Sequence, residues 1–427
     1  MRLRDAWVVV VASNATLACS ENTNKTPQPV ALTASSMSST PASERNLCAA
    51  APVRNEAMDA PAKHAWDLFL TLNHPARDIR VARGVPDCTK ALGSVGTTSV
   101  WETWRLARTE VFLKDGSEPP AWEDTSIPGA LFGQTPAPPS SAVSASPHDP
   151  PLHDPRLAAM SGTHVLFDPI KDQGVFEGRG GIGETHVNKS TYDFIKQNCL
   201  WSYDGLSRYA KAVDDGKKPP LSFPPESMEV KAVWVKFKPE DMSAGKAATY
   251  YTATADGATY GLTAFHILTK DVPNWFWATF HHKDEPANSD ETPSTFPQPS
   301  AVRGTVWSNY ELGGVQTDFT DPTGNPTILS DYYIEFGFTK SSCITCHASG
   351  HGHPEPPRDT SGKLVRDARG RIAAAQQGPL QTTDIGIPNS TLFQKNGKPY
   401  FVQTDFLWSI PFRAQEELRP PPDRCRF

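Results

Sequence analysis

The residues with the clearest chemical content are five in a row, Cys343-Ile344-Thr345-Cys346-His347. Two thiols at this spacing can form thioether bonds to the two vinyl groups of a haem. The adjacent histidine then lies beneath the iron as its proximal ligand. The sequence therefore predicts one covalent haem c, held by Cys343 and Cys346 and ligated by His347.

Three other interpretations of this motif stay open at this point. A zinc site could combine Cys343 and Cys346 with His351 or His353, although the usual wider gap between ligand pairs is missing. A thioredoxin-like redox pair needs its cysteines at the start of a helix within an alternating α/β pattern, which the sequence does not show. The third interpretation is a plain disulfide between the two cysteines.

The motif resembles the haem attachment site of c-type cytochromes. Further stretches are similar to a group of large exported single-haem proteins, known mainly as uncharacterised cytochrome c family proteins. These stretches are VWETWRLARTEVFL, GLTAFHI, WFWATFHHKD, SSCITCHA and QTDFLWSIPFRA. The resemblance implies haem and export, and it implies no particular reaction.

The second axial ligand of the iron needs a separate argument. Small c-type cytochromes supply a methionine downstream of the motif, but here no methionine follows Cys346. On the expected strand Thr259–Lys270, His266 shares one face with apolar residues, which makes it the candidate distal ligand. The alternatives are a hydrogen-bonded core histidine at this position, an open iron, or another distal ligand, for which His282, His351, His353 and Met228 are the candidates. If position 266 pairs with position 278, His282 lies on the same side, whereas a shift of one residue separates the two histidines.

The N-terminus has the pattern of an export signal over residues 1–19. Arg2 and Arg4 precede the short apolar run Trp7–Ala12. The run ends either in a small-residue cleavage site or in a lipoprotein-type box, in which Cys19 would carry a lipid and attach the chain to a membrane. Residues 20–57 are rich in Ser, Thr, Ala, Asn and Pro and predict a flexible tether. The expected location is the periplasm or the cell envelope.

Export to an oxidising compartment gives the remaining cysteines a structural interpretation. Apart from Cys19 and the motif pair, the chain contains Cys48, Cys88, Cys199 and Cys425. Four cysteines allow three pairings, among which the sequence does not choose. We expect two disulfides.

The elements that must position the motif predict an α+β fold, with an antiparallel sheet core, packed helices and long Pro/Ser-rich loops. Residues 58–116 predict a helical segment, with one helix from Asp59 to Pro75 and another from Ser99 to Gly116. Residues 117–158 form a Pro/Ser-rich insertion, and 159–427 form a sheet-rich haem-binding region that embeds the motif near its C-terminal part. In that region we expect helices at Ser190–Cys199 and Gly205–Val213, and strands at Met228–Lys238, Thr259–Lys270, Asn274–Lys283 and Tyr400–Phe412.

Composition limits the function classes. The net charge of −6, from 41 basic and 47 acidic residues, argues against a nucleic-acid binder. The sequence contains no continuous stretch of ~18 apolar residues, so it predicts no membrane-spanning helix. The expected function is one-electron transfer to a redox partner protein that the sequence does not identify. The alternatives are a haem c-dependent oxidoreductase, which acts on a small substrate or peroxide at an open distal site, and a haem-based sensor.

Overall fold

A seven-stranded antiparallel sheet forms the centre of the computed structural model, which describes residues 48, 54–125, 182–255, 258–284, 297–335, 340–366, 372–375 and 385–427. The strands are β1 Arg105–Leu106, β2 Ile182–Val187, β3 Met228–Lys236, β4 Thr252–Ala255, β5 Ala258–Thr269, β6 Phe276–His282 and β7 Tyr310–Gln316. Their order is β1-β2-β3-β5-β6-β7, and β4 pairs with the first part of β5. The predicted α+β class with an antiparallel sheet is confirmed.

One face of the sheet packs against helices, and we call it the helical face. Helix α1 spans Glu56–Asp59 and helix α2 spans Pro61–Leu72. Pro61 suits the first turn of α2, where its missing N–H leaves no hydrogen bond unmade. Phe69 of α2 lies with its ring 4.4 Å from Phe280 of β6 and 6.2 Å from Phe265 of β5. The period-two pattern of β5 and β6 therefore places Phe265 and Phe280 on the face that packs against α2. This helix corresponds to the first helix that the sequence predicts.

Two further helices and several short elements complete the regular structure. Helices α3 Lys189–Gln197 and α4 Tyr203–Asp214 confirm two predictions, and their first turns are capped by the side chains of Asn188 and Ser202. Helices α5 Pro239–Ser243, α6 Cys343–Ala348 and α7 Ser409–Arg413 follow. Two small sheets pair β8 His351–Gly352 with β11 Val402–Gln403, and β9 Gln394–Lys395 with β10 Lys398–Pro399. Turns of 3₁₀ helix lie at Trp101–Thr103, Lys246–Ala248, Ser300–Val302, Val306–Asn309, Ala373–Ala375, Ser390–Phe393 and Asp423–Cys425.

The predicted second helix from Ser99 to Gly116 is wrong. The chain instead forms a 3₁₀ turn, strand β1, and a π turn at Ala107–Val111. Glu110 is fully buried and accepts the backbone N–H of Leu106 at 2.8 Å, while its other oxygen lies 3.2 Å from the guanidinium of Arg105. Because this carboxylate takes the backbone donor, and β1 pairs with β2, the apolar spacing does not produce a continuous helix.

The predicted strand Tyr400–Phe412 is also wrong over most of its length. Only Val402–Gln403 pairs as a strand, and the end of the predicted segment lies in α7. Between them, Asp405 and Phe406 have left-handed backbone angles, with φ of 48° and 69°. Two consecutive residues of this kind turn the chain sharply and end the extended conformation.

Disulfides join Cys48 to Cys88 and Cys199 to Cys425, which confirms the two expected bonds and selects one of the three pairings. Cys48 is thus fixed to the folded part, and Ala57 is fully buried. The anchored chain therefore begins before the predicted end of the tether at residue 57. The predicted export signal, the lipid site at Cys19, most of the tether and residues 126–158 of the insertion lie outside the described residues.

All described residues belong to one compact unit, Asn46–Phe427. The segment 58–116 and the region 159–427 are therefore parts of one body. Among the described residues, no helix has the length and apolar character needed to cross a membrane.

Candidate functional site

The motif forms helix α6, whose first turn is fixed by two polar side chains. Ser342 is the N-cap residue, and its hydroxyl accepts the backbone N–H of Thr345 at 3.3 Å. Gln316, the last residue of β7, donates to the Ser342 hydroxyl at 2.7 Å and accepts the N–H of Ile344 at 3.1 Å. The edge of the sheet thus determines where the motif begins.

Three further hydrogen bonds hold the motif in place. Leu329 presents its carbonyl to Cys343, whose backbone N–H and thiol donate at 3.1 and 3.0 Å. The Thr345 hydroxyl donates to the carbonyl of Gly386 at 2.8 Å. The motif is therefore embedded in the C-terminal part of the fold, on the sheet face opposite the helical face. We call this second face the motif face.

The two motif cysteines differ from the four structural ones. Neither Cys343 nor Cys346 forms a disulfide with another described cysteine. The interpretation as a plain disulfide is therefore not supported by the structure. Burial raises the pKa of the Cys343 thiol well above its ordinary value, so this sulfur is protonated at neutral pH.

His347 has a defined tautomer. Its Nδ1 lies 2.8 Å from the carbonyl oxygen of Phe406, and because a carbonyl only accepts, Nδ1 carries the proton and donates. Burial lowers the pKa of His347 to about 4. The imidazole is neutral and its Nε2 keeps a free lone pair, which is the form that binds a metal. The ring packs edge-on against Trp277, with ring centroids 4.7 Å apart.

His266 lies on the motif face, on the central strand β5. In the observed register it stands between Lys231 of β3 and Thr279 of β6. It is 5 % exposed, and its Nε2 has no hydrogen-bond partner among the described residues. Burial, and then the positive charge of Lys231, lower the pKa of His266 well below its ordinary value. A neutral histidine with an unused buried nitrogen therefore lies beside the motif.

His266, Glu335 and Cys343 place three donor atoms within 4.8 Å of one another. The Nε2 of His266 is 3.9 Å from Oε2 of Glu335, which also accepts the N–H of Asp331 at 2.6 Å. The structure thus brings the predicted distal candidate together with the first cysteine of the motif. No sequence signal pointed to Glu335, because proximity across loops leaves no periodic pattern.

The zinc interpretation with His351 or His353 is wrong about its ligands. Within the described ranges, neither histidine joins the two cysteines in a group of three donors. His351 lies 3.0 Å from the carbonyl of Ser349 through Nδ1, and His353 packs edge-on against Phe401. The reason is the pairing of β8 with β11, which holds this loop along the C-terminal segment.

His282 lies on the face opposite His266, because position 266 pairs with 279 and not with 278. Its Nε2 is 3.0 Å from the carbonyl of Thr249, and its Nδ1 accepts the backbone N–H of Asp284 at 3.1 Å. Its ring stacks on Tyr250 with centroids 3.5 Å apart. Both nitrogens are occupied, which identifies His282 as a structural histidine.

A cavity of about 210 Å³ lies elsewhere, at the Cys48–Cys88 disulfide. Its lining includes His74, Leu70 and Lys90, and none of the motif residues. This cavity is therefore separate from the motif.

The donor atoms around the motif are of the types that a covalent haem would need. Two thiols outside the disulfides stand one helical turn apart, His347 offers Nε2, and the unpartnered buried Nε2 of His266 is a second nitrogen donor. Sequence reasoning missed Gln316 and the Phe406 carbonyl; a backbone acceptor leaves no trace in side-chain patterns. No family model, curated protein or solved structure matches the chain.

Proposed function

We propose that this chain is an exported c-type cytochrome with one haem, and that it transfers single electrons. Cys343 and Cys346 would hold the haem through thioether bonds, with Nε2 of His347 as the proximal ligand. The observation that carries the proposal is the hydrogen bond from Nδ1 of His347 to the Phe406 carbonyl. This bond fixes the tautomer and the ring orientation that an axial histidine needs.

The proposal includes His266 as the distal ligand. An unpaired polar atom in the interior costs about 1–3 kcal/mol when nothing binds it. Nε2 of His266 is such an atom, on a central strand and within 4.8 Å of the Cys343 sulfur. Coordination would satisfy it.

A bound haem would supply an iron that alternates between the ferrous and ferric states. The residues of this chain contribute rigidity and exclusion of water. His347 is on α6 and His266 on β5, and regular elements hold side chains more precisely than loops do. Trp277 covers one edge of the His347 ring. The arrangement suits a carrier whose geometry is the same in both oxidation states.

The alternative is a haem c-dependent oxidoreductase that acts on a small substrate or peroxide. One observation favours it: His266 has the titratable side chains of Lys231 and Glu335 beside it. If His266 does not bind iron, this group could transfer protons to or from a molecule on the distal side.

Export is part of the proposal, to the periplasm or cell envelope, with a lipid at Cys19 as one mode of attachment. The two disulfides support it, because such bonds persist mainly in oxidising compartments. The partner would be a redox protein.

The test is covalent attachment. The full chain is produced in a host that attaches haem c, and the pure protein is extracted with acidified acetone. We expect the pigment to stay with the protein and the tryptic peptide containing Cys343–His347 to carry the haem mass. The matched control replaces Cys343 and Cys346 by serine and should lose the pigment while both disulfides remain. Unmodified thiols, or zinc in place of iron, would contradict the proposal.

Optical and magnetic spectra of the same protein separate the two functions. A six-coordinate low-spin iron that binds neither carbon monoxide nor peroxide supports the carrier. A high-spin iron that binds them supports the oxidoreductase.

A further inference from the structure

We infer that Asp405 is a positioning residue for the proximal histidine: its buried carboxylate holds the turn that directs the Phe406 carbonyl to Nδ1 of His347. The inference deepens the proposed function and rests on it only where haem is concerned. The turn and its hydrogen bonds involve only residues of the polypeptide, and they can be tested without haem.

The turn has an unfavourable backbone conformation. Asp405 and Phe406 both lie in the left-handed region, with φ of 48° and 69°. Aspartate enters this region more readily than most residues, whereas a bulky phenylalanine rarely does. Two such residues in succession persist only when their surroundings hold them.

The Asp405 carboxylate supplies that hold through both oxygens. Oδ2 accepts the backbone N–H of Phe223 at 2.7 Å, and Oδ1 accepts from Nζ of Lys270 at 2.6 Å. The side chains of Asp405 and Lys270 are 9 % and 11 % exposed. A buried ion pair with a backbone bond on its second oxygen is well suited to fix a turn.

The ion pair of Asp405 with Lys270 connects the two sides of the proposed haem site. Lys270 directly follows β5, which ends at Thr269 and carries His266. Asp405 therefore ties the hydrogen-bond acceptor of His347 to the strand of the proposed distal ligand. The Phe406 oxygen also accepts the N–H of Trp408 at 2.9 Å, so its direction depends on this turn.

The expected consequence concerns the electronic character of His347. A hydrogen bond from Nδ1–H to a carbonyl raises the basicity of Nε2 and fixes the ring orientation. A weaker bond makes Nε2 a poorer donor, which disfavours ferric iron. Loosening the turn should therefore raise the reduction potential and change the magnetic signature of the low-spin iron.

The experiment uses Asp405→Asn in the full chain. Asparagine tolerates the left-handed region and can still accept from Phe223, but it loses the charge that binds Lys270. A second variant, Lys270→Met, breaks the same pair from the other side. The matched control is Glu417→Gln: Glu417 is also buried, 8 % exposed, and pairs with Arg208 at 2.7 Å away from the motif.

Two readouts are taken. In the haem-free chain, nitrogen NMR follows the His347 ring, and we expect the Nδ1–H tautomer in the unaltered protein and loss of its protection from solvent exchange in both variants. In the haem-loaded chain, we expect a shift to higher potential, larger for Asp405→Asn. Glu417→Gln should change neither readout.

Unchanged ring nitrogens and an unchanged potential in Asp405→Asn, with a stability loss like that of Glu417→Gln, would overturn the inference. The NMR arm keeps it testable even if no haem is attached. A chain without haem but with the expected change in His347 would refute the proposed function and support the role of Asp405.

Discussion

The two faces of the seven-stranded sheet bury their histidines beside different partners. On the helical face, Nε2 of His64 lies 3.0 Å from Asp271, and Nε2 of His186 lies 3.0 Å from Glu184. On the motif face, Nε2 of His266 is equally buried and has no hydrogen-bond partner among the described residues. Nδ1 of His64 also has no hydrogen-bond partner among the described residues. The difference between the faces is therefore the carboxylate: His64 and His186 have one at hydrogen-bond distance, whereas the carboxylate beside His266, that of Glu335, is 3.9 Å away.

The faces also differ in what covers them. The helical face carries a cluster of aromatic rings around Phe69. The motif face is covered by the short helices α6 and α7 and by irregular chain, and specific hydrogen bonds such as those of Gln316, Thr345 and Ser409 hold this cover in place. Apolar residues are buried on both faces, because Val233, Ala264 and Ile334 belong to a second buried cluster on the motif face. Hydrogen bonds additionally determine the geometry of the motif.

The largest expected effect comes from breaking the helical face. Phe69→Ala removes a fully buried ring that contacts Trp66, Phe280 and Trp307. We expect the free energy of unfolding to fall by about 3–5 kcal/mol. Urea unfolding followed by tryptophan fluorescence measures it. At urea concentrations below the unfolding transition, the absorption spectrum of the haem-loaded variant should match that of the unaltered haem-loaded protein. A changed spectrum would mean that the two faces are not independent.

A second prediction concerns buried carboxyls, which occur on both faces. Burial raises the pKa of Glu102 from 4.5 to about 7. The folded state then binds this proton more tightly than the unfolded state does. The free energy of unfolding should therefore decrease as the pH rises from about 4.5 to 7, by about 3 kcal/mol from this group.

Glu102→Gln should remove the part of the pH dependence of the free energy of unfolding that this carboxyl causes. Glutamine keeps an acceptor for the N–H of Ser99 and the hydroxyl of Tyr251. The matched variant is Glu229→Gln on the motif face, because burial raises the pKa of Glu229 to about 7 as well. Denaturant unfolding between pH 5 and pH 8 measures both. If the slope survives both substitutions, other groups cause it.

The sequence predicted the helical face better than the motif face, for a physical reason. The pattern of β5, β6 and α2 is repetitive and local, so periodicity finds it. The contacts of His266 with Glu335, and of His347 with the Phe406 carbonyl, join residues through irregular chain. The register also had to be observed, because only the pairing of 266 with 279 separates His266 from His282. The five-residue motif was visible because its chemistry is encoded by spacing alone.

The smallest expected change in stability compares one histidine from each face. His266→Leu replaces an unpaired nitrogen by apolar volume, so we expect the free energy of unfolding of the haem-free chain to stay within about 1 kcal/mol or to rise. His64→Leu removes a partner of the buried Asp271 carboxylate, which keeps Thr269 and Arg54, and should cost about 1–3 kcal/mol. Urea unfolding at pH 7 measures both.

In the haem-loaded forms that the proposed function requires, His266→Leu should have the larger effect and His64→Leu the smaller one. His266→Leu should turn the low-spin iron into one that binds carbon monoxide, whereas His64→Leu should leave the spectrum unchanged. A large loss of stability in haem-free His266→Leu would mean that this histidine has a structural partner after all. An unchanged spectrum in the loaded variant would remove it as the distal ligand. Because the two readouts are independent, together they distinguish a histidine kept for the fold from one kept for the iron.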